Sequence, residues 1–182
     1  MQNLKNYKIP KDWNRGAYFY KLILWRIIGF PLVASFIPGS KWRKIILIIF
    51  GAKIGKGVKF KPYIKVSYPW RLKISDYCWI GEEVWIDNID LVKISKNVCI
   101  SQRVYLCTGN HNYKKSSFDL LTSQIIIHEG SWIGACSCIA PGTIIGRNSV
   151  ITLGSVVNGL VKDNSIYTGN KANFVKYRKF QD

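Results

Sequence analysis

Large apolar residues recur along this chain at intervals of six. From Ile54 the frame runs through Phe60 and Val66, resets after two extra residues at Ile74, Ile80 and Ile86, and resets again at Ile94, Ile100 and Leu106. After a longer interruption it resumes at Ile127 and continues through Ile133, Ile139, Ile145 and Ile151 to Val157. The fourth residue after an anchor is often small or β-branched, as at Cys78, Val84, Ser131, Thr143 and Ser155. A glycine or small residue often follows the anchor, as at Gly55, Gly81, Ala140 and Gly146. A six-residue period is one short strand and one corner. Three such units close a coil of about 18 residues, and stacked coils bury the anchors in one column. A hairpin protein would alternate with period two between tight Asn-Gly or Asp-Gly turns, a pattern absent here. The frame predicts an all-β solenoid of about five coils between Ile54 and Leu160. One stretch, 112–124, must leave the coil as an arm, and it starts directly after His111.

Ahead of the repeat the spacing changes. Leu22, Trp25 and Ile28 fall at helical intervals, as do Trp42, Ile45 and Ile49, and Pro31, Pro38 and Gly39 divide the region into two short predicted helices. Two compatible roles follow: a cap over the open end of the solenoid, and an interfacial element with cationic flanks that contacts a membrane surface. The uncharged run Ile27 to Ser40 contains two prolines and falls short of the roughly 20 apolar residues a spanning helix needs. The polar start, Met1 to Gly16, shows no secretory pattern. The expected organisation is a basic, apolar N-terminal segment 1–53, a repeat domain 54–172 and a basic tail 173–182.

Composition narrows the chemistry. With 182 residues, 48% of them hydrophobic and a single methionine, the chain suits one folded domain built mainly of strands. Its formal net charge of +17 would attract an anionic membrane, nucleic acid or a phosphate-rich cofactor. No nucleic-acid recognition motif accompanies that charge, so a nucleic-acid partner is not expected. Five cysteines without a C-x-x-C pair, and only two histidines, are poor material for zinc, so no metal is expected. The cysteines read as reduced core or wall residues of a cytoplasmic protein, one that could also rest on the inner membrane.

Several segments carry a resemblance: F-G-A-K-I-G-K-G-V at 50–58, Y-P-W-R-L-K-I at 68–74, S-Q-R-V-Y-L-C-T-G-N-H at 101–111, W-I-G at 132–134, A-P-G-T-I-I-G at 140–146 and G-N-K-A at 169–172. With these the chain resembles the hexapeptide-repeat acyltransferases, nearest to the colanic-acid-type O-acetyltransferases of exopolysaccharide biosynthesis. The resemblance implies a left-handed parallel β-helix and a homotrimer with each active site in a groove between two subunits. It further implies acetyl-CoA as acyl donor and a saccharide or lipid-linked saccharide as acceptor.

Acetyl transfer to an alcohol needs a base for the hydroxyl proton and donors for the tetrahedral oxyanion. An imidazole titrates close enough to neutrality to accept that proton. His111 matches the family's catalytic histidine by its place after T-G-N, whereas His128 reads as a structural residue. Asp87 and Asn88 read in two ways: Asn88 aligns with a position that contacts the acceptor sugar, and Asp-Asn is also a turn-forming pair. By resemblance the cofactor groove is built from Trp132, Gly134, Ala135, Leu153 and Asn158. Lys176, with Arg178 close by, would reach the CoA phosphates, unless the tail is simply a solvated basic one.

The chain departs from the family pattern at Lys171, where proline is usual, at Gly159, where lysine is usual, and at Asn112, where aspartate is common. The last leaves open what orients His111; Asp119 and Glu129 are the carboxylates within reach in sequence. The competing class is a non-enzymatic scaffold binding an anionic membrane or nucleic acid, but such a binder has no use for a base beside an arm.

Overall fold

The computed structural model describes residues 3–10 and 13–170. Its body is a left-handed parallel β-helix with three flat faces. The first face stacks Lys53–Ile54, Leu72–Ile74, Val92–Ile94, Ile125–Ile127, Ile144–Ile145 and Leu160–Val161. The second runs from Lys59–Phe60 to Ile166–Tyr167, and the third from Lys65–Val66 to Val156–Val157. Five coils are complete and a sixth has two of its three strands. The expected count of about five stopped short because the step after Val157 is four residues, to Val161, rather than six. Every irregularity of the frame falls at the corner between the third and first faces.

The anchors form the core. All but half-buried Ile54 are buried, with Ile86, Ile94, Leu106, Ile127, Ile133, Ile139, Ile145 and Ile151 at 0% exposure. Beside them a second buried column is apolar in the first three coils (Val58, Ile64, Cys78, Val84, Val98, Val104). From the fourth coil it turns to hydroxyls: Ser131, Ser137, Thr143, Ser149 and Ser155. These do not waste burial, because hydroxyls there donate to carbonyls one coil on, as Ser131 does to Gly146 (2.7 Å) and Ser149 to Lys162 (2.7 Å).

Corners turn through a left-handed residue three places after the anchor. Gly57, Gly130, Gly142 and Gly154 do so freely, and Asn97 and Asn148 at little cost, but Tyr63, Tyr77, Glu83, Arg103 and Cys136 also adopt it. The glycine right after an anchor answers to space instead: a Cβ on Gly81 would lie 2.6 Å from the Gln102 nitrogen of the next coil.

The N-terminal segment covers the first coil. Helix α1 (Phe19–Leu24) continues through a π-helical turn (Trp25–Gly29) into α2 (Phe30–Val33), and α3 spans Ser40–Ile49. Pro31 was expected to end the first helix; the helical run instead passes through it into α2, with the π-helical turn directly ahead adjusting the backbone bonding to the N–H that Pro31 lacks. The true break, Ala34 to Gly39, is held by the buried Arg43 guanidinium, which donates to the carbonyls of Val33, Ser35 and Gly39 (3.1, 2.7 and 2.7 Å). Burial pulls the Arg43 pKa below the ordinary guanidinium value. The exposed edge of the first coil is satisfied from the cap. Trp25 Nε1 donates to Val66 O and Ser67 O (both 3.1 Å), Lys44 Nζ to Gly55 O (2.5 Å), and Ser40 Oγ accepts from Phe60 N (2.8 Å). Among the described residues no helix is long and apolar enough to cross a membrane.

Candidate active site

The arm leaves between the third and fourth coils, at the corner between the third and first faces. Buried Thr108 roots it: its N–H and hydroxyl both donate to Asp87 O, its hydroxyl accepts from Asp90 N (2.9 Å), and its carbonyl accepts from Ser123 N (3.0 Å). From there Gly109–His111 and Leu120–Thr122 pair as an antiparallel hairpin, with His111 opposite Leu120. The arm therefore begins at Gly109, three residues before the expected 112, and His111 lies on its first strand.

His111 is half-buried and fixed from two sides. Its ring stacks on Phe118 at 4.3 Å with an interplanar angle of 6°, and its Nδ1 lies 3.0 Å from Phe118 O. A carbonyl can only accept, so in the neutral ring Nδ1 carries the hydrogen and the lone pair sits on Nε2. The expected carboxylate is not the orienting group. Asp119 instead pairs with Lys115 (3.4 Å), and Glu129 lies on a corner of the fourth coil between Lys96 (3.5 Å) and Arg147 (3.7 Å).

Asp87 ends the third-face strand of the second coil. One carboxylate oxygen accepts from Ser67 Oγ (2.8 Å) and the other from Tyr105 OH (3.0 Å). Burial first, then hydrogen bonds with Cys107 and Asp87, pushes the Tyr105 phenol well above its ordinary pKa. Asn88 is fully buried, and its amide is consumed by the Tyr68 backbone: Nδ2 donates to Tyr68 O (2.7 Å) and Oδ1 accepts from Tyr68 N (3.0 Å). That is the geometry of a corner brace.

The residues expected around a cofactor divide between two edges. Trp132, Gly134, Ala135 and Leu153 gather where the second face turns into the third. Trp132 Nε1 donates to Ser101 Oγ (2.9 Å), Gly134 N to Ile151 O (2.7 Å), and Leu153 projects with 75% of its surface exposed. Asn158 lies at the other corner, on the edge from which the arm emerges. One chain thus carries His111, Asp87 and Asn158 on one edge and the Trp132–Leu153 group on another. Lys171, Lys176 and Arg178 lie outside the described residues. Among the described residues no group of three His, Cys, Asp or Glu side chains could hold a metal ion.

The N-terminal segment enters this site with no local sequence signal to announce it. Asn3 N donates to Ser116 O (2.9 Å), Leu120 N to Lys8 O (3.4 Å), and the Tyr7 ring lies 5.8 Å from that of His111. Farther along, Trp13, Asn14, Arg71, Asp90, Leu120 and Thr122 line a cleft against the second arm strand.

No family model matches the sequence. It is 35% identical over 179 residues, 98% of each chain, to a protein of Escherichia coli K12 named as a colanic acid biosynthesis acetyltransferase, WcaF. Among solved structures, the hexapeptide-repeat acetyltransferase VCA0836 of Vibrio cholerae superposes with a TM-score of 0.75 at 21% identity, covering 91% of this chain and 96% of that one. A galactoside acetyltransferase in complex with coenzyme A superposes at 0.64 and 22% identity over 82% and 76%. At such identities the two superpositions speak for the fold.

Proposed function

Since the chain belongs to the hexapeptide-repeat acetyltransferases, in the group of the colanic acid biosynthesis enzyme, we propose that it moves an acetyl group from acetyl-CoA to a hydroxyl of a saccharide, free or lipid-linked, in surface polysaccharide biosynthesis. The observation that carries the proposal is the hydrogen bond from His111 Nδ1 to Phe118 O, which leaves Nε2 as a base. Nε2 takes the hydroxyl proton as the sugar oxygen attacks the thioester carbonyl. The tetrahedral intermediate then collapses with loss of the CoA sulfur, which receives that proton from Nε2. No bond order or charge is left unbalanced, and no metal is required. Donors in a closed groove stabilise the oxyanion more strongly than water would.

The separation of the two residue groups supports a shared site. A single chain cannot bring the arm edge to the Trp132–Leu153 edge, whereas a second copy packed edge to edge can. We therefore read the active unit as a homotrimer with acetyl-CoA lying between subunits. Asp87 is the polar group offered to the acceptor, with Asn88 shaping the corner beside it. Supply of acetyl-CoA places the enzyme in the cytoplasm, and contact with the inner membrane is taken up below.

Release of CoA thiol from acetyl-CoA, across a panel of sugars and lipid-linked saccharides, tests the reaction. His111→Ala should lose about 10²- to 10⁴-fold in kcat while still binding acetyl-CoA. Undiminished turnover in that variant would remove His111 from the mechanism. A monomer at micromolar concentration in sedimentation would remove the shared groove.

A further inference from the structure

The helical cap is apolar on both of its sides. Trp25, Gly29 and Val33 face the first coil and α3 and are buried, while Ile23, Leu24, Ile27 and Ile28 of the same run face outward. Helix α3 repeats the arrangement, with Leu47 inward and Ile45, Ile48 and Ile49 outward. Ile27, Phe36 and Ile49 are 69, 69 and 70% exposed. The charged residues exposed on these helices, Arg26 and Lys41, are basic; an outward apolar face with basic flanks is that of an interfacial helix, and a cluster of exposed isoleucines marks a contact surface.

Around the patch runs a collar of charge of one sign. The outward positions of the first coil are lysine on all three faces, Lys53, Lys59 and Lys65, and exposed Lys56 and Lys61 stand at its corners. None of the five makes an ion pair among the described residues. From Trp13 to Ser75 the sequence holds thirteen lysines and arginines and no aspartate or glutamate.

We infer that this end of the solenoid docks on an anionic lipid surface, with the outer apolar side chains of α1 to α3 entering the headgroup boundary and the lysine collar of the first coil meeting the lipid phosphates. Charge decides among the candidate occupants. Two caps packed end to end would bring two unneutralised lysine collars together. A polyanion in solution would neutralise the lysines and leave the isoleucines wet. An anionic bilayer answers both features: each lysine near such a surface is attracted to the lipid phosphates, and apolar side chains add by burial. Docking in this way stands the helix on its cap, with the coils that carry the arm directed away from the bilayer.

The test is flotation of the full chain with vesicles of equimolar phosphatidylglycerol and phosphatidylcholine, against phosphatidylcholine alone. Binding is expected only to the anionic vesicles and should fall steeply towards about 1 M salt, where charges are screened within ~3 Å. Two variants at exposed positions, Ile27→Glu/Ile49→Glu and Lys53→Gln/Lys56→Gln/Lys61→Gln, should each lose about tenfold or more in partition while keeping the wild-type circular dichroism and melting profile. Three results would overturn the inference. They are equal binding to both vesicle types, loss with the lysine variant alone (a polyanion site), and a smaller sedimenting species in the isoleucine variant with vesicle binding unchanged (a cap-to-cap contact). The readout is partition, so it stands or falls separately from the acetyl transfer assigned to His111.

Discussion

The Nδ1 of His111 lies 3.0 Å from the carbonyl oxygen of Phe118, and the Phe118 ring stacks on the same imidazole at 4.3 Å. One residue of the arm thus sets both the tautomer and the plane of the base. The hydrogen bond comes from the backbone and survives substitution; the stacking does not. Phe118→Leu should lower kcat about 2- to 10-fold, the equivalent of the 0.5–1.5 kcal/mol of an aromatic pair, with KM for acetyl-CoA unchanged and with rescue by Phe118→Tyr. A change in KM alone would mean that Phe118 shapes the groove rather than the base.

Asn88 and Asp87 are neighbours with different duties. Asn88→Ala strands the part-buried N–H of Tyr68, whose carbonyl keeps the Arg71 N–H (2.9 Å), and should cost about 1–3 kcal/mol in urea unfolding, while the folded fraction retains its affinity for acceptor. An acceptor KM that rises without loss of stability would instead give Asn88 a sugar contact.

The phenol of Tyr105, hydrogen-bonded to Asp87, supplies a pH signature. Its folded pKa is raised by burial, so the neutral form is favoured in the fold. That contribution is complete below the unfolded value of about 10 and is lost as pH rises through the folded value. Between about pH 9 and about pH 11 the urea midpoint should fall further in the wild type than in Tyr105→Phe. Equal falls would mean that Tyr105 ionises as freely as in the unfolded chain.

The body of the helix was legible because its core depends on one repeated demand, a large apolar residue every sixth position, and every anchor from Phe60 to Val157 is buried. The left-handed corners were less visible. Their requirement is a backbone conformation, and Tyr77 or Arg103 meets it as neighbouring strands hold the corner in place. His111 could be found from the residues before it and from the break after it. Its orienting group could not, since a backbone carbonyl leaves no side-chain signature. Tyr7, distant in sequence, reaches the imidazole only through tertiary packing.

Two glycines separate space from backbone conformation. A Cβ on Gly134 would lie 2.6 Å from Leu153 N and 2.7 Å from Ile151 O, contacts with backbone that cannot yield. Gly159 has nothing within 4 Å but a φ of +85°. Gly134→Ala should cost about 1–3 kcal/mol by overpacking and weaken acetyl-CoA binding through displacement of the Leu153 edge. Gly159→Ala should cost about 1–2 kcal/mol of strain and leave that edge intact. Melting curves and acetyl-CoA titration of the two variants separate these outcomes; matching losses of affinity would contradict the assignment of the Leu153 edge to the cofactor.

Trp25 joins the cap to the coil, filling the space against Phe30 and Phe50 and donating one N–H to two carbonyls of the first coil. Trp25→Ala should cost about 3–5 kcal/mol, and Trp25→Phe, which keeps most of the ring and loses the bond, about 1–2 kcal/mol. A solenoid transmits such damage only to its neighbours, so the loss should be local. Amide exchange in Trp25→Phe should quicken along the first coil, at Lys59, Phe60 and Lys65, and stay slow at Ile139 and Ile151, which lie three or more coils away. Uniform acceleration would mean that the helix unfolds as one unit; an unchanged first coil would mean that its edge does not depend on the cap for protection.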